Sequence, residues 1–112
     1  MEPATDKLPL ELDAVAVAQM RRNGEPFDVL DAREAWELDI CRIEGSPHIP
    51  MGALPDRLNE LPNGPPLVVV CHHGMRSMQV THWLRQSGVA AVNLGGGIDA
   101  WARNVDPTLS LY

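Results

Sequence analysis

The stretch Leu67-Val68-Val69-Val70-Cys71-His72-His73-Gly74-Met75-Arg76-Ser77 decides the reading of this chain. Its first four residues are apolar and mostly β-branched, and two prolines, Pro65 and Pro66, precede them. A short continuous apolar run of this kind suits a central parallel strand buried on both faces. Cys71 follows directly. A helix with an apolar stripe (Met78, Val80, Thr81, Trp83, Leu84) is expected from about Ser77 to Gln86, with Ser87-Gly88 ending it. Strand, short loop and helix in succession are the repeating unit of an open α/β sheet.

The flanking segments extend that unit. A short strand is expected over 8–12. Asp13 then stands as the N-cap of a helix that begins Ala14-Val15-Ala16-Val17 and stops at Asn23-Gly24. Phe27 to Leu30 reads as a strand and Glu34 to Leu38 as a short helix. His48-Ile49 reads as a brief strand before Pro50, and Leu54 to Leu61 as another short helix. Ala91 to Leu94 is the last strand, and Gly95-Gly96-Gly97 leads to a closing helix near Ile98 to Arg103. The chain has 112 residues, so it is expected to be one domain over 1–112, with 1–7 as a loose end.

Composition excludes several classes. Hydrophobic residues make up 45% of the chain, ordinary for a globular protein. No apolar run reaches the ~20 residues that span a bilayer, and the N-terminus lacks the pattern of a secretion signal. A net charge of -6 argues against general nucleic-acid binding, which needs clustered Lys and Arg. The two cysteines, Cys41 and Cys71, form neither a disulfide framework nor a C-x-x-C pair, and a reducing, cytoplasmic setting is expected.

In open α/β sheets the active crevice lies beyond the carboxyl ends of the strands, which is where Cys71 stands. The loop over 71–76 must turn sharply, and Gly74 permits that turn. Inward-pointing N–H groups, the positive end of the following helix and the charge of Arg76 all favour a thiolate over a thiol. The same cradle suits an anionic persulfide or an oxyanion. A cysteine after a strand is often just a small buried hydrophobe, but His72, His73, Gly74 and Arg76 beside it point to chemistry.

This loop resembles the active-site loop C-x-x-G-x-R-S/A of rhodanese-like domains. Val29-Leu30-Asp31-Ala32-Arg33-Glu34 with Glu37 resembles the upstream signature of the same family. His48-Ile49-Pro50-Met51-Gly52-Ala53 is similar to its H-I-P-G-A segment with Met51 inserted, and Asn93 to Trp101 to its closing N-L-x-G-G-I-x-A-W. The resemblance implies a five-stranded, mainly parallel sheet with helices on both faces. It also implies transfer of a sulfane sulfur in two steps through a Cys71 persulfide, with no metal or cofactor. Cys71 would be the nucleophile, and His72, His73, Gly74, Met75 and Arg76 would form the binding loop. The implied partners are a small sulfur donor such as thiosulfate and a sulfur-carrier or other thiol-bearing protein. Ile40 to Gly45 and the tail Val105 to Tyr112 further resemble the rhodanese domain attached to sulfur-carrier adenylyltransferases.

Rival readings can be stated in the same terms. Related phosphatases use C-x-x-x-x-x-R, one residue longer than the loop from Cys71 to Arg76, and the shorter loop makes a cradle too tight for phosphate. A non-enzymatic interaction module is the other alternative. The rings of His72 and His73 either donate hydrogen bonds to a bound oxyanion or matter only through their backbone amides. Cys41 is read as a spare cysteine, with a resolving role requiring the two sulfurs within bonding reach. Asp31 and Arg33 are expected to fix the turn after their strand. Trp83 and Trp101 are expected as core or boundary residues, and His82 as a helix-surface residue.

Overall fold

The computed structural model describes residues 8–62 and 64–112. The expectation of a loose end at 1–7 lies outside the described residues. Four parallel strands form one sheet: β1 (Glu11–Asp13), β2 (Asp28–Asp31), β3 (Leu67–Val70) and β4 (Ala91–Gly95). Their spatial order is β1-β4-β3-β2. The helices between them are α1 (Ala14–Arg22), α2 (Ala35–Ile40), α3 (Met75–Gln86) and α4 (Gly97–Asn104).

β3 lies between β2 and β4, and all four of its residues are buried. Side chains alternate across a strand, so Leu67 and Val69 face one layer while Val68 and Val70 face the other. Val68, Val70 and Leu94 pack with Val17 of α1 and Ile98 and Trp101 of α4. Leu67, Val69 and Ala91 pack with Val80 and Leu84 of α3 and with Leu54. Two apolar layers therefore clamp the sheet, which is the arrangement the run at 67–70 requires. Trp101 belongs to the first core, Trp83 packs partly buried on the second, and His82 is exposed.

The first helix starts as its sequence dictates: Asp13 Oδ1 accepts a hydrogen bond from the Ala16 N–H at 2.8 Å. The strand before it is Glu11–Asp13 rather than residues 8–12, because only the last residues pair with β4. The helix expected over 54–61 is instead two 3₁₀ segments, Met51–Asp56 and Leu58–Glu60. Pro55 inside the first of them supplies no N–H for an α-helical ladder.

The sheet has four strands, not five. The segment at His48-Ile49 reaches it only as one parallel bridge, Asp31 to His48. Asp31 donates to the Pro47 carbonyl at 2.9 Å and Ile49 donates to the Asp31 carbonyl at 3.1 Å. Pro47 and Pro50 flank this bridge and lack N–H groups, so the pairing does not propagate into a strand. None of the helices among the described residues is long and apolar enough to cross a membrane.

A buried ion pair closes the turn after β2. Arg33 Nη2 lies 2.7 Å from Asp31 Oδ2, and both side chains are essentially inaccessible. Arg33 also donates to the carbonyls of Cys41 (2.8 Å) and Glu37 (3.3 Å), so it ties the turn to α2 and the loop beyond. Removing one partner would strand a buried charge. Asp31→Ala is expected to cost about 3–5 kcal/mol in urea unfolding. A loss below about 1 kcal/mol would show that the pair is not what holds this turn.

Candidate active site

The loop between β3 and α3 is built from both ends. Its Cys71 and His72 carbonyls accept hydrogen bonds from the N–H groups of Ile98 (2.8 Å) and Asp99 (3.1 Å), in the first turn of α4. That approach is possible because Gly97 carries no side chain: a Cβ there would overlap both carbonyls. Gly74 has a left-handed backbone (φ 98°) and caps α3, turning the chain back toward the sulfur.

Cys71 is 1% exposed. The Gly74 N–H donates to its Sγ at 3.1 Å. The Ser77 hydroxyl oxygen lies 3.2 Å from the same sulfur and 2.5 Å from Asn93 Oδ1. Asn93, at the centre of β4, is fully buried; its Nδ2 donates to Glu11 Oε1 at 2.8 Å and to the Gly74 carbonyl at 3.1 Å. The loop, the first turn of α3, β4 and β1 thus meet at the cysteine. The first N–H groups of a helix have no partner inside it. Those of Met75, Arg76 and Ser77 accordingly carry no internal hydrogen bond among the described residues.

Arg76 is not free above the cradle. Its Nη1 and Nη2 donate to the two carboxylate oxygens of Glu37 at 2.8 and 2.7 Å. Glu37 is buried, the Arg76 side chain is 37% exposed, and the Tyr112 hydroxyl donates to the same carboxylate at 2.8 Å. The hydrogen bonds to Glu37 hold Arg76 firmly protonated, against the opposing effect of its partial burial. Arg33 Nη1 donates to the Tyr112 oxygen at 3.0 Å, which joins this cluster to the ion pair after β2. Burial raises the Tyr112 hydroxyl to about 12, so it stays protonated and acts as a donor.

The remaining loop residues point elsewhere. The His72 ring is stacked between His73 and Tyr112, with centroids 3.8 Å away on each side. It lines a small crevice with Cys41, Ile98, Asp99 and the tail 110–112. Desolvation, and then the charge of His73, lowers the pKa of His72, so its ring is held neutral. Its Nε2 is buried with no hydrogen-bond partner among the described residues. Met75 is 79% exposed. Donor atoms of His72, His73 and Asp99 lie within 4.8 Å of one another. Of these, Asp99 Oδ2 is engaged by Arg103 Nε at 2.9 Å. Cys41 and Cys71 are both free and buried.

Of the expected site, the structure gathers Cys71, Gly74 and Arg76, the last through Glu37. It also adds groups that residue-level reading left without a role. Ser77 and Asn93 stood inside the quoted motifs, so a signal for them existed. Glu11 carries no such signal, because its neighbour Asn93 lies 82 residues away in the chain.

The Glu37 carboxyl is pulled from the usual 4.5 down to about 2, chiefly by the hydrogen bonds from Arg76. A carboxylate with a depressed pKa in the folded state contributes stability that is complete above its unfolded value and lost as pH falls. Stability is therefore expected to decline from about pH 4.5 toward pH 2, and Glu37→Gln is expected to flatten that decline in acid titrations followed by circular dichroism. An unchanged acid limb in the variant would remove Glu37 as its source.

Comparison with known proteins places this geometry. The family model described as "Rhodanese-like domain" matches residues 13–104. A protein named sulfurtransferase from Allochromatium vinosum is 34% identical over 101 residues, covering 89% of this chain and 94% of that protein. Adenylyltransferase and sulfurtransferase MOCS3-1 of Zea mays is 36% identical over 98 residues; the match takes in 80% of this chain but spans only 21% of the maize protein's length. The crystal structure of a rhodanese-like domain protein from Staphylococcus aureus superposes with a TM-score of 0.80 at 28% identity, covering 93% of this chain and 99% of that one. The matched region contains β2, β3 and β4, the cysteine loop and α4, and on that ground the chain belongs to the rhodanese-like domain family.

Proposed function

We propose that this domain is a sulfurtransferase working through a persulfide on Cys71. The supporting observation is the sulfur's setting: a buried Sγ that accepts the Gly74 N–H, at the start of the 12-residue α3, whose Met75, Arg76 and Ser77 N–H groups have no partner among the described residues. Such donors and the helix dipole favour an anion placed on or just beyond the sulfur. The names of the relatives described above support sulfur transfer as the chemistry.

In the first step the Cys71 thiolate attacks the outer sulfur of a sulfane donor, with thiosulfate as the simplest case. The new S–S bond forms as the donor's own S–S bond breaks, and sulfite leaves with that bond's electron pair. In the second step an acceptor thiolate attacks the terminal sulfur and returns Cys71 as a thiolate. Splitting the transfer in two is covalent catalysis, and it needs no metal or organic cofactor. The acceptor class is a small thiol or a sulfur-carrier or other thiol-bearing protein. Two free cysteines fit a reducing, cytoplasmic compartment. Arg76, paired with Glu37 yet partly exposed, supplies charge at the rim of the cradle rather than a direct contact with the sulfur. The described residues carry all of these groups.

Intact-mass measurement after incubation with thiosulfate is expected to show one added sulfur, absent in Cys71→Ala. No added sulfur from any sulfane donor would favour a binding module of the same fold. Arg76→Lys keeps a charge for Glu37 but loses the bidentate pair. It is expected to slow transfer from thiosulfate about tenfold while preserving the fold. Unchanged kinetics would take Arg76 out of the donor site.

A further inference from the structure

Three groups able to bind a metal ion meet where the cysteine loop touches α4. They are the rings of His72 and His73 and the carboxylate of Asp99, with one ligand atom from each within 4.8 Å of the others. Loop and helix are already joined there, since the Asp99 N–H donates to the His72 carbonyl at 3.1 Å. The Ile98 N–H holds the Cys71 carbonyl in the same way. The positive end of α4 is therefore spent on two carbonyls rather than opposing a cation. No backbone has to move to bring the three side chains together.

A second observation points to a ligand. His72 Nε2 is buried and has no hydrogen-bond partner among the described residues. Buried polar atoms are nearly always satisfied, by protein, by water or by an ion. Tyr112 stacks on the His72 ring with centroids 3.8 Å apart, which holds that ring in place. The charges of Asp99 and Glu37 both act on His72, and that of Asp99 acts on His73 as well. Such a field favours a cation between the rings and the carboxylate. Arg103 engages only Oδ2 of Asp99, so Oδ1 has no hydrogen bond among the described residues.

We propose that His72, His73 and Asp99 form a site for a divalent ion of the zinc class, which clamps the cysteine loop to α4. Two imidazoles and a carboxylate are a donor set that zinc, cobalt and nickel ions accept, and three protein ligands leave a fourth position for water. Around a tetrahedral ion, ligand atoms stand about 3.3 Å apart. The cluster spans at most 4.8 Å, so small side-chain rotations close it. The ion lies in the plane of each imidazole it binds, so the two stacked rings, inclined by 29°, splay further as it enters. His73 makes that turn. It is exposed and has no hydrogen bond among the described residues, so its stacking on His72 is what opposes the rotation. Cys71 stands outside the cluster. The ion is not a cofactor of the proposed transfer; it is a separate clamp on the loop that carries the sulfur.

The site does not depend on sulfur transfer, and its test uses none. Cys71→Ala first removes the thiol that would compete as a ligand. In that background, calorimetric titration with Zn²⁺ alone at neutral pH is expected to show one ion bound per chain. Co²⁺ is expected to give visible ligand-field bands without a sulfur-to-metal band in the near ultraviolet. Adding His73→Ala or Asp99→Asn is expected to weaken Zn²⁺ binding at least about tenfold each, since even partners outside the ligand shell are worth that much. His73 is exposed and the recorded side-chain partner of Asp99 is the exposed Arg103, so both variants are expected to fold. Zn²⁺ is also expected to raise the thermal midpoint of the Cys71→Ala protein, and not after His73→Ala, because the ion binds the folded arrangement. Three results would each overturn the proposal. One is no Zn²⁺ binding once Cys71 is gone. Another is binding that neither His73→Ala nor Asp99→Asn weakens. The third is binding that falls with His73→Ala but not with Asp99→Asn, which would mean that adjacent histidines hold the ion without α4.

Discussion

The grip of α4 on the cysteine loop is the contact on which the rest of the structure depends. Two N–H groups at the start of that helix hold the carbonyls of Cys71 and His72, and they reach them because Gly97 has no side chain. With those carbonyls drawn toward α4, the loop can curl so that Gly74 offers its N–H to the sulfur. A substitution at Gly97 would therefore act on the sulfur without touching it. The same helix buries Ile98 and Trp101 against α1 and the sheet, so the loop's position is coupled to the larger core.

A second layer of order is electrostatic. Asp31, Arg33, Glu37, Arg76 and Tyr112 form one connected cluster running from the end of β2 to the rim of the loop. Each buried charge in it has an opposite charge and further hydrogen bonds, which is the condition under which burying charge is tolerated. Its effect on the site is indirect. Arg76 is fixed in place by a carboxylate and contributes its field to the mouth of the cradle, while the groups that touch the sulfur are Gly74 and Ser77. Tyr112 links the chain's tail to this cluster and covers one face of His72.

Much of the fold was legible because it rests on local rules. The continuous apolar run at 67–70 can satisfy itself only as a strand covered on both sides, and it occupies the interior position in the sheet. Asp13 as a cap and Asn23-Gly24 as a stop bracket α1 as their chemistry requires. That the sheet stops at four strands was not legible, because a bridge at His48 becomes a strand only if its neighbours can donate, and Pro47 and Pro50 cannot. At the site, Cys71, Gly74 and Arg76 were visible as residue types at a telling spacing. The partner of Arg76 was not, since Glu37 lies 39 residues earlier and reaches it only through the packing of α2.

By itself the sequence determined the alternation of strands and helices, the placement of Cys71 at a strand's carboxyl end, and the length of the loop that follows. These depend on periodicity, glycine and proline, which act over a few neighbouring residues. Tertiary structure alone decided how that sulfur is hydrogen-bonded. Asn93 is one buried polar residue in an otherwise apolar strand, and its amide orientation depends on a glutamate from β1 and a carbonyl from the loop. Such a choice is set by which acceptors surround a buried donor, and only the packed arrangement of distant segments supplies them.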